Sequence, residues 1–238
     1  MDKQIIKDDI LAMFDVIKQR EGVDNLVNFL ENDSDYFTAP SSTKFHCAYE
    51  GGLAEHSYNV ADLLFKKNDQ FNLFYEYETL AICGLLHDLC KVNFYKIVSE
   101  DPTDAQMNYL TRLCKGKIPI VSGKLHKAYV SNLINFYVKG GEMPVYAEGS
   151  YQVDDQFPIG HGEKSVIMIQ KFMPLTDIEI MAIRWHMVGF DAGIHFNYPS
   201  GFPFRAATEL SPLVTLLATA DMEASNILER GNQPITKR

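Results

Sequence analysis

The chain has 238 residues, 46% of them hydrophobic and 22% charged, which is enough apolar surface for one large domain or two small ones. Its formal charge of −9 excludes a protein that coats nucleic acid by electrostatics alone. No apolar run approaches the roughly 20 residues that span a bilayer, and the polar start Met1-Asp2-Lys3-Gln4 is unlike a signal peptide, so a cytoplasmic protein without a membrane partner is expected.

Residues 3–19 place Ile6, Ile10, Phe14 and Ile17 on one face, the pattern of an amphipathic helix. A second helix is expected from Asp24 to about Asn32, stopped by the polar run before Thr38-Ala39-Pro40-Ser41. These helices, within residues 1–37, are expected to pack on the core. Gly51-Gly52 then permits a tight backbone approach before a helix from about Leu53 to Lys66, whose apolar face carries His56. A lone core histidine is more often hydrogen-bonded and inert than functional. His46 lies ten residues upstream, where it would line the mouth of any site built on His56.

The run Leu80-Ala81-Ile82-Cys83-Gly84-Leu85-Leu86 leads directly into His87-Asp88, with Lys91 three residues on, in a helix expected from Glu76 to about Cys90. Burying an unpaired carboxylate beside an imidazole is costly, and the cost falls away when both groups ligate a cation. A lone His-Asp dipeptide is more often an aspartate that orients its neighbour, or a solvated helix end, because adjacent helical residues point about 100° apart.

Val92–Val98 and a stretch from Pro144 to Val153 have β propensity and would form a small hairpin. Between them lies an insertion at about residues 99–143, helical at about 106–114 and 124–137. Ala105 to Gly141 holds no Asp or Glu but has Arg112, Lys115, Lys117, Lys124, Lys127 and Lys139, leaving −15 for the rest of the chain. It reads either as a solvated cationic face or as a contact for a polyanion or an acidic surface.

Gly160-His161-Gly162-Glu163-Lys164-Ser165 opens an apolar helix over Val166–Phe172, and two glycines around a histidine at a helix start allow close approach to a metal or phosphate. Thr176 and Asp177 cap another helix that ends in Trp185-His186-Met187. A loop rich in Gly, Pro and aromatics follows from Gly189 to Phe204. The last helix, about Ser211 to Leu228, embeds Asp221 in an apolar stretch, and a tail occupies 231–238. The four cysteines, Cys47, Cys83, Cys90 and Cys114, form no CxxC pair and read as reduced thiols.

His56, His87, Asp88, His161, His186 and Asp221 thus occupy five helices, at separations of 31, 73, 25 and 35 residues. An all-helical core has no other reason to collect six ligand-type side chains on apolar faces. Nitrogen and oxygen ligands suit Mn, Fe, Co, Ni or Zn, and a carboxylate that can bridge suits two such ions.

In its order of motifs the chain resembles the HD superfamily of metal-dependent phosphohydrolases, most closely the small stand-alone bacterial and phage hydrolases. The matching pieces run from about Thr38 to Leu228: Ala48-Tyr49-Glu50-Gly51-Gly52-Leu53 with Glu55-His56-Ser57, Leu85-Leu86-His87-Asp88-Leu89-Cys90-Lys91, Gly160 to Ser165, Ile183 to Met187, and Ala220-Asp221. The resemblance implies an all-α helical bundle over 38–230 with a small β-hairpin and the basic helical insertion. It implies that His56, His87, Asp88 and Asp221 ligate one ion, and that Asp88 bridges to a second completed by His161 and His186. Lys91 would be catalytic or contact phosphate, Lys164 and His46 would contact substrate, and Glu163 would support a ligand histidine; His126 and His195 are assigned no metal role.

The substrate so implied is a nucleotide, cyclic nucleotide or short oligonucleotide, hydrolysed by a metal-activated bridging hydroxide. The alternatives are a di-iron oxygenase on the same fold and a non-catalytic regulatory or binding module. Oligomeric state is left open by the sequence.

Overall fold

In the computed structural model the described residues are 2–121, 123–141, 143–144, 146, 149–188 and 201–229, the last segment beginning with backbone alone at 201–202. The loop expected at 189–200, with His195, and the tail at 231–238 lie outside them. Among the described residues the chain is mostly helical with one two-stranded antiparallel sheet, and it divides into two units, residues 1–94 with 155–238, and residues 95–154.

In the first unit the amphipathic N-terminal pattern forms α1 (Lys3–Val16), with the Asp2 side chain capping the first turn through the Gln4 amide. The short α2 (Val23–Asn28) runs on into a wider turn over Phe29–Asp33. Ile6, Ile10, Phe14, Leu26 and Leu30 are buried in one apolar core with Leu53, Leu64, Leu80, Leu85 and Leu217. The core is framed by α3 (Gly52–Phe71), α4 (Tyr77–Leu86), α7 (His161–Gln170), α8 (Asp177–Trp185), α9 (Gly201–Leu210) and α10 (Pro212–Glu223).

Two glycines set the close approaches that bring the site together. A Cβ on Gly84 would lie 2.5 Å from the Cα of Ala61, so α3 and α4 touch backbone to backbone one turn from His87 and little more than one turn from His56. A Cβ on Gly162 would lie 2.3 Å from the carbonyl oxygen of Arg184, which seats the start of α7 on the end of α8 and pairs His161 with His186.

The same core holds a closed ionic network. The side chain of Glu179 is fully buried; its Oε1 and Oε2 lie 2.8 and 2.7 Å from the two terminal nitrogens of Arg20, and it also accepts from Thr79 Oγ1 and the Thr176 amide. Arg20 completes its fork on Glu78, at 2.8 Å, and on the Pro174 carbonyl. Burial by itself would lower the Arg20 pKa, yet the carboxylates of Glu179 and Glu78 raise it. Thr176 and Glu179 also form a reciprocal cap at the start of α8, as the Thr176 signal leads one to expect.

The second unit contains β1 (Tyr95–Val98), α5 (Asp104–Leu113), α6 (Lys127–Lys139) and β2 (Ser150–Val153). The strands pair antiparallel from Tyr95 opposite Val153 to Val98 opposite Ser150. Its core is small: Leu110, Tyr129, Val130 and Leu133, with Tyr146 and other partly buried side chains around it. Of the cationic residues in this segment, Lys124 pairs with Asp101 and Lys127 with Glu100, both at 2.7 Å, so the basic run draws acids from just before it.

Several boundaries differ from those the sequence suggests. The helix at 76–90 ends at Leu86 because Asp88 leaves helical geometry (φ −103°, ψ 20°), and a tight turn over Leu89–Lys91 follows. α3 extends to Phe71 rather than Lys66, α7 starts at His161 rather than Val166, and β2 starts at Ser150. α9 occupies Gly201–Leu210, where the expected loop reached Phe204. Pro203 in its first turn is compatible with a helix, since a proline there forfeits no intrahelical hydrogen bond.

Candidate metal centre

The six ionisable residues singled out in the sequence converge. His56 projects from α3, His87 caps the end of α4 with Asp88 behind it, His161 is the first residue of α7, His186 caps α8 and Asp221 sits on α10. Asp88 is the hub and is only 2% exposed. Its Oδ1 is 2.6 Å from His161 Nε2 and 3.5 Å from His186 Nε2; its Oδ2 is 3.4 Å from His56 Nε2 and 3.5 Å from His87 Nε2. Asp221 Oδ1 is 3.2 Å from His56 Nε2, and the Nε2 atoms of His56 and His87 are 3.3 Å apart.

The imidazoles are oriented from behind. His87 Nδ1 lies 2.8 Å from the Gly84 carbonyl and His186 Nδ1 lies 2.7 Å from the Ile183 carbonyl. A carbonyl oxygen only accepts, so both rings carry their proton on Nδ1 when neutral and turn the Nε2 lone pair toward Asp88. His186 Nε2 is buried without a hydrogen-bond partner, and so is His46 Nε2. A buried, unpartnered ring nitrogen beside carboxylates is what a nitrogen ligand looks like before a cation is placed on it.

The charges are mutually adjusted. Burial would raise the Asp88 pKa, but Lys91, His87 and the hydrogen bond from His161 hold it well below the usual carboxylate range. Asp221 is likewise held down, against burial, by His56. Burial would deprotonate His56, yet Asp221, Asp88 and Glu229 raise its pKa well above that of an ordinary histidine, and Asp88 raises that of His186 in the same way. For His87 burial prevails and the pKa falls. The cluster is therefore an arrangement of alternating charges that a divalent cation can take over by replacing protons.

Three overlapping ligand groups, each with donor atoms within 4.8 Å of one another, are His56/His87/Asp88, His87/His186/Asp221 and Asp88/Cys90/His161. Asp88 belongs to two of them. The donor set is nitrogen and oxygen with one thiol, whose Sγ is 3.2 Å from His161 Nε2, and it fits a divalent transition metal. Metal binding is a property these buried residues could provide.

Lys91 is buried rather than solvated; its Nζ is 2.5 Å from Asp88 Oδ2 and 3.4 Å from Ser41 Oγ. Lys164 is also buried, paired with Asp155 Oδ1 at 2.5 Å and stacked over the Phe94 ring. Glu163, expected to support a histidine, instead reaches Arg184 at 2.7 Å. His126, in the second unit, bonds Ser99 Oγ through Nδ1.

His46 packs its ring 4.8 Å from that of His56, and burial, reinforced by His56 and Lys91, pushes its pKa down to about 4. With His56 and Glu229 it makes a fourth ligand group. Glu229 and Cys90 are the participants that sequence reasoning missed. Cys90 stands within a matched motif but reads as one more core thiol, and burial does push its thiol pKa up. Glu229 follows Leu228 at a helix end, where a glutamate is ordinary.

Compared with protein-family models, with curated proteins and with solved structures, the chain finds no match in any of the three.

Proposed function

We propose that the chain is a metal-dependent phosphohydrolase of the HD type, cleaving a phosphoester in a nucleotide, cyclic nucleotide or short oligonucleotide. The observation that carries the reading is the convergence of His56, His87, His161 and His186 on the buried carboxylate of Asp88, with Asp221 against His56, in the motif order quoted above. Two divalent transition metals, from Mn, Fe, Co, Ni or Zn, would supply a water acidic enough to be hydroxide near neutral pH and positive charge opposite phosphate oxygens.

The chain's own part is to hold and orient. His56, His87, Asp88 and Asp221 would hold one ion; Asp88, His161 and His186 would hold the other, with Asp88 shared. The carbonyls of Gly84 and Ile183 keep the Nε2 atoms of His87 and His186 aimed inward, so little ordering remains to be done on binding. Lys91 keeps Asp88 ionised and sets a buried cation next to the shared carboxylate, where phosphate charge would gather. Lys164 and His46 are assigned to substrate contact, Lys164 by exchanging Asp155 for phosphate. In the second unit, contact with a polyanion falls to Arg112, Lys115, Lys117 and Lys139.

The test is a screen of purified protein loaded with Mn²⁺ against generic phosphodiesters and a nucleotide panel, with metal content measured alongside. Turnover is expected with at least one phosphoester and none after chelation. Protein that contains metal and hydrolyses nothing would overturn the reading, and an iron-loaded form with an oxygen-sensitive visible band would redirect it to an oxygenase.

A further inference from the structure

The ligand histidines are oriented by backbone carbonyls in two cases and by a side chain in a third. His56 Nδ1 is 3.0 Å from both carboxylate oxygens of Glu229, whose side chain is 2% exposed. Asn59, one turn along α3 from His56, donates its Nδ2 to Glu229 Oε1 at 3.0 Å. The glutamate is therefore gripped from the same helix that carries the histidine it touches.

The placement depends on an irregularity in the last helix. Asp221 and Glu229 are eight residues apart; a continuous α-helix would rotate them about 80° out of line. Between Ala224 and Leu228 the chain instead takes a wider turn, with the Glu229 amide bonded five residues back to the Ala224 carbonyl, and such a turn rotates less per residue. Both carboxylates consequently face His56, Asp221 at Nε2 and Glu229 at Nδ1.

We propose that Glu229 is the positioning residue of the metal centre: its carboxylate accepts the His56 Nδ1 proton, fixes the ring, and makes Nε2 a stronger ligand. This rests on the metal-centre reading above and adds a residue that none of the sequence motifs contains. It distinguishes His56 from its fellows, because an anionic acceptor raises the basicity of the opposite nitrogen more than a carbonyl does. The wide turn at Ala224–Leu228 then has a function, since straightening it would carry Glu229 off the ring.

The experiment titrates Co²⁺ into metal-stripped wild-type protein and the variants Glu229→Ala, Glu229→Gln and Asn59→Ala, reading affinity calorimetrically and the coordination sphere from the visible absorption bands. Glu229→Ala is expected to weaken Co²⁺ binding about 10- to 100-fold with altered bands. Glu229→Gln should recover part of the loss, because an amide oxygen still accepts the Nδ1 proton without the charge. Asn59→Ala, which leaves the carboxylate in place but loosens it, should give a smaller loss and keeps the question decidable if Glu229→Ala does not fold.

Wild-type protein that binds Co²⁺ while all three variants bind it equally well overturns the positioning role alone. Wild-type protein that takes up no Co²⁺ overturns the metal-centre reading and this inference together. Equal losses in Glu229→Ala and Glu229→Gln with unchanged absorption bands would also overturn it, as that pattern marks a stability effect instead of ring orientation.

Discussion

Two buried polar networks lie at opposite ends of α4, and they are built to different standards. At the start of the helix, Glu78 and Thr79 join Glu179 and Arg20 in a set where both Glu179 oxygens and both terminal nitrogens of Arg20 find short partners. At its end, His87 and Asp88 enter a cluster in which several contacts are 3.2–3.5 Å and the Nε2 atoms of His186 and His46 have no partner. The first network is finished by the protein alone. The second is left incomplete: among the described residues the buried side-chain atoms without a hydrogen-bond partner are these two nitrogens and Ser57 Oγ, next to His56 on α3, and incompleteness in a fixed place is what a binding site requires.

The contrast can be broken most directly at Asp88. Asp88→Ala should abolish uptake of both ions and all hydrolysis, measured by metal analysis and turnover on the same preparation; retention of one ion would refute the shared role of the carboxylate. Glu179→Ala should do the reverse, leaving metal affinity unchanged while costing about 3–5 kcal/mol of stability, because Arg20 keeps its charge and loses its main acceptor. For a chain this size that is a fall of roughly 6–20 °C in Tm. A Glu179→Ala protein of normal stability would mean that the closed network is no more than a surface-grade ion pair.

A smaller effect concerns ligand linkage. Free metal at about 100 times its Kd should stabilise the wild-type protein by about 2.7 kcal/mol and the Glu179→Ala protein by the same increment, while Asp88→Ala shows no increment. Denaturant melts with and without Mn²⁺ decide this. Equal stabilisation of Asp88→Ala would place the ion elsewhere.

How far the two networks were legible in the sequence differs for a physical reason. The apolar run Leu80–Leu86 ending in His87-Asp88 announces itself, because burial of such a pair demands an explanation, and the helical register of His56 and Asp221 repeats the signal. The capping role of Thr176 is local and so readable, and the alternation of apolar residues marks α1 equally well. Glu179 is not readable, since a glutamate in the first turn of a helix is usually solvated and its partner Arg20 lies 159 residues away. Glu229 escapes for the same reason, with the added obstacle that its direction depends on a wide turn over Ala224–Leu228 that helical periodicity does not foresee. α9 escapes because Gly201-Phe202-Pro203 looks like loop chemistry although a proline fits a first turn.

The finest distinction between the networks is in pH. Arg20, whose pKa is raised above its already high ordinary value, keeps its charge between pH 7 and 8. In the open cluster, burial disfavours the charged forms of His56 and His186, yet the raised pKa of His56 follows from Asp221, Asp88 and Glu229, with His87 and His46 facing it from the other elements, and that of His186 from Asp88 and Asp221. A raised imidazole contributes stability that is fully present below the unfolded pKa of about 6.5 and is lost as pH rises through the folded value. His87 and His46, whose pKa values are lowered, oppose this weakly near pH 7, because the unfolded chain there still holds part of the proton that the folded rings have shed. Metal-stripped protein should therefore lose stability from pH 7 to 8, by at most about 1.4 kcal/mol per pH unit for each extra proton the folded state holds. With Mn²⁺ bound the slope should reverse, because the ion competes with those protons and gains as they leave. Urea melts at pH 7.0, 7.5 and 8.0, with and without metal, measure both slopes. Parallel slopes in the two series would mean that the ion and the protons occupy different groups, and the imidazole cluster would then be a structural network like the one at the other end of α4.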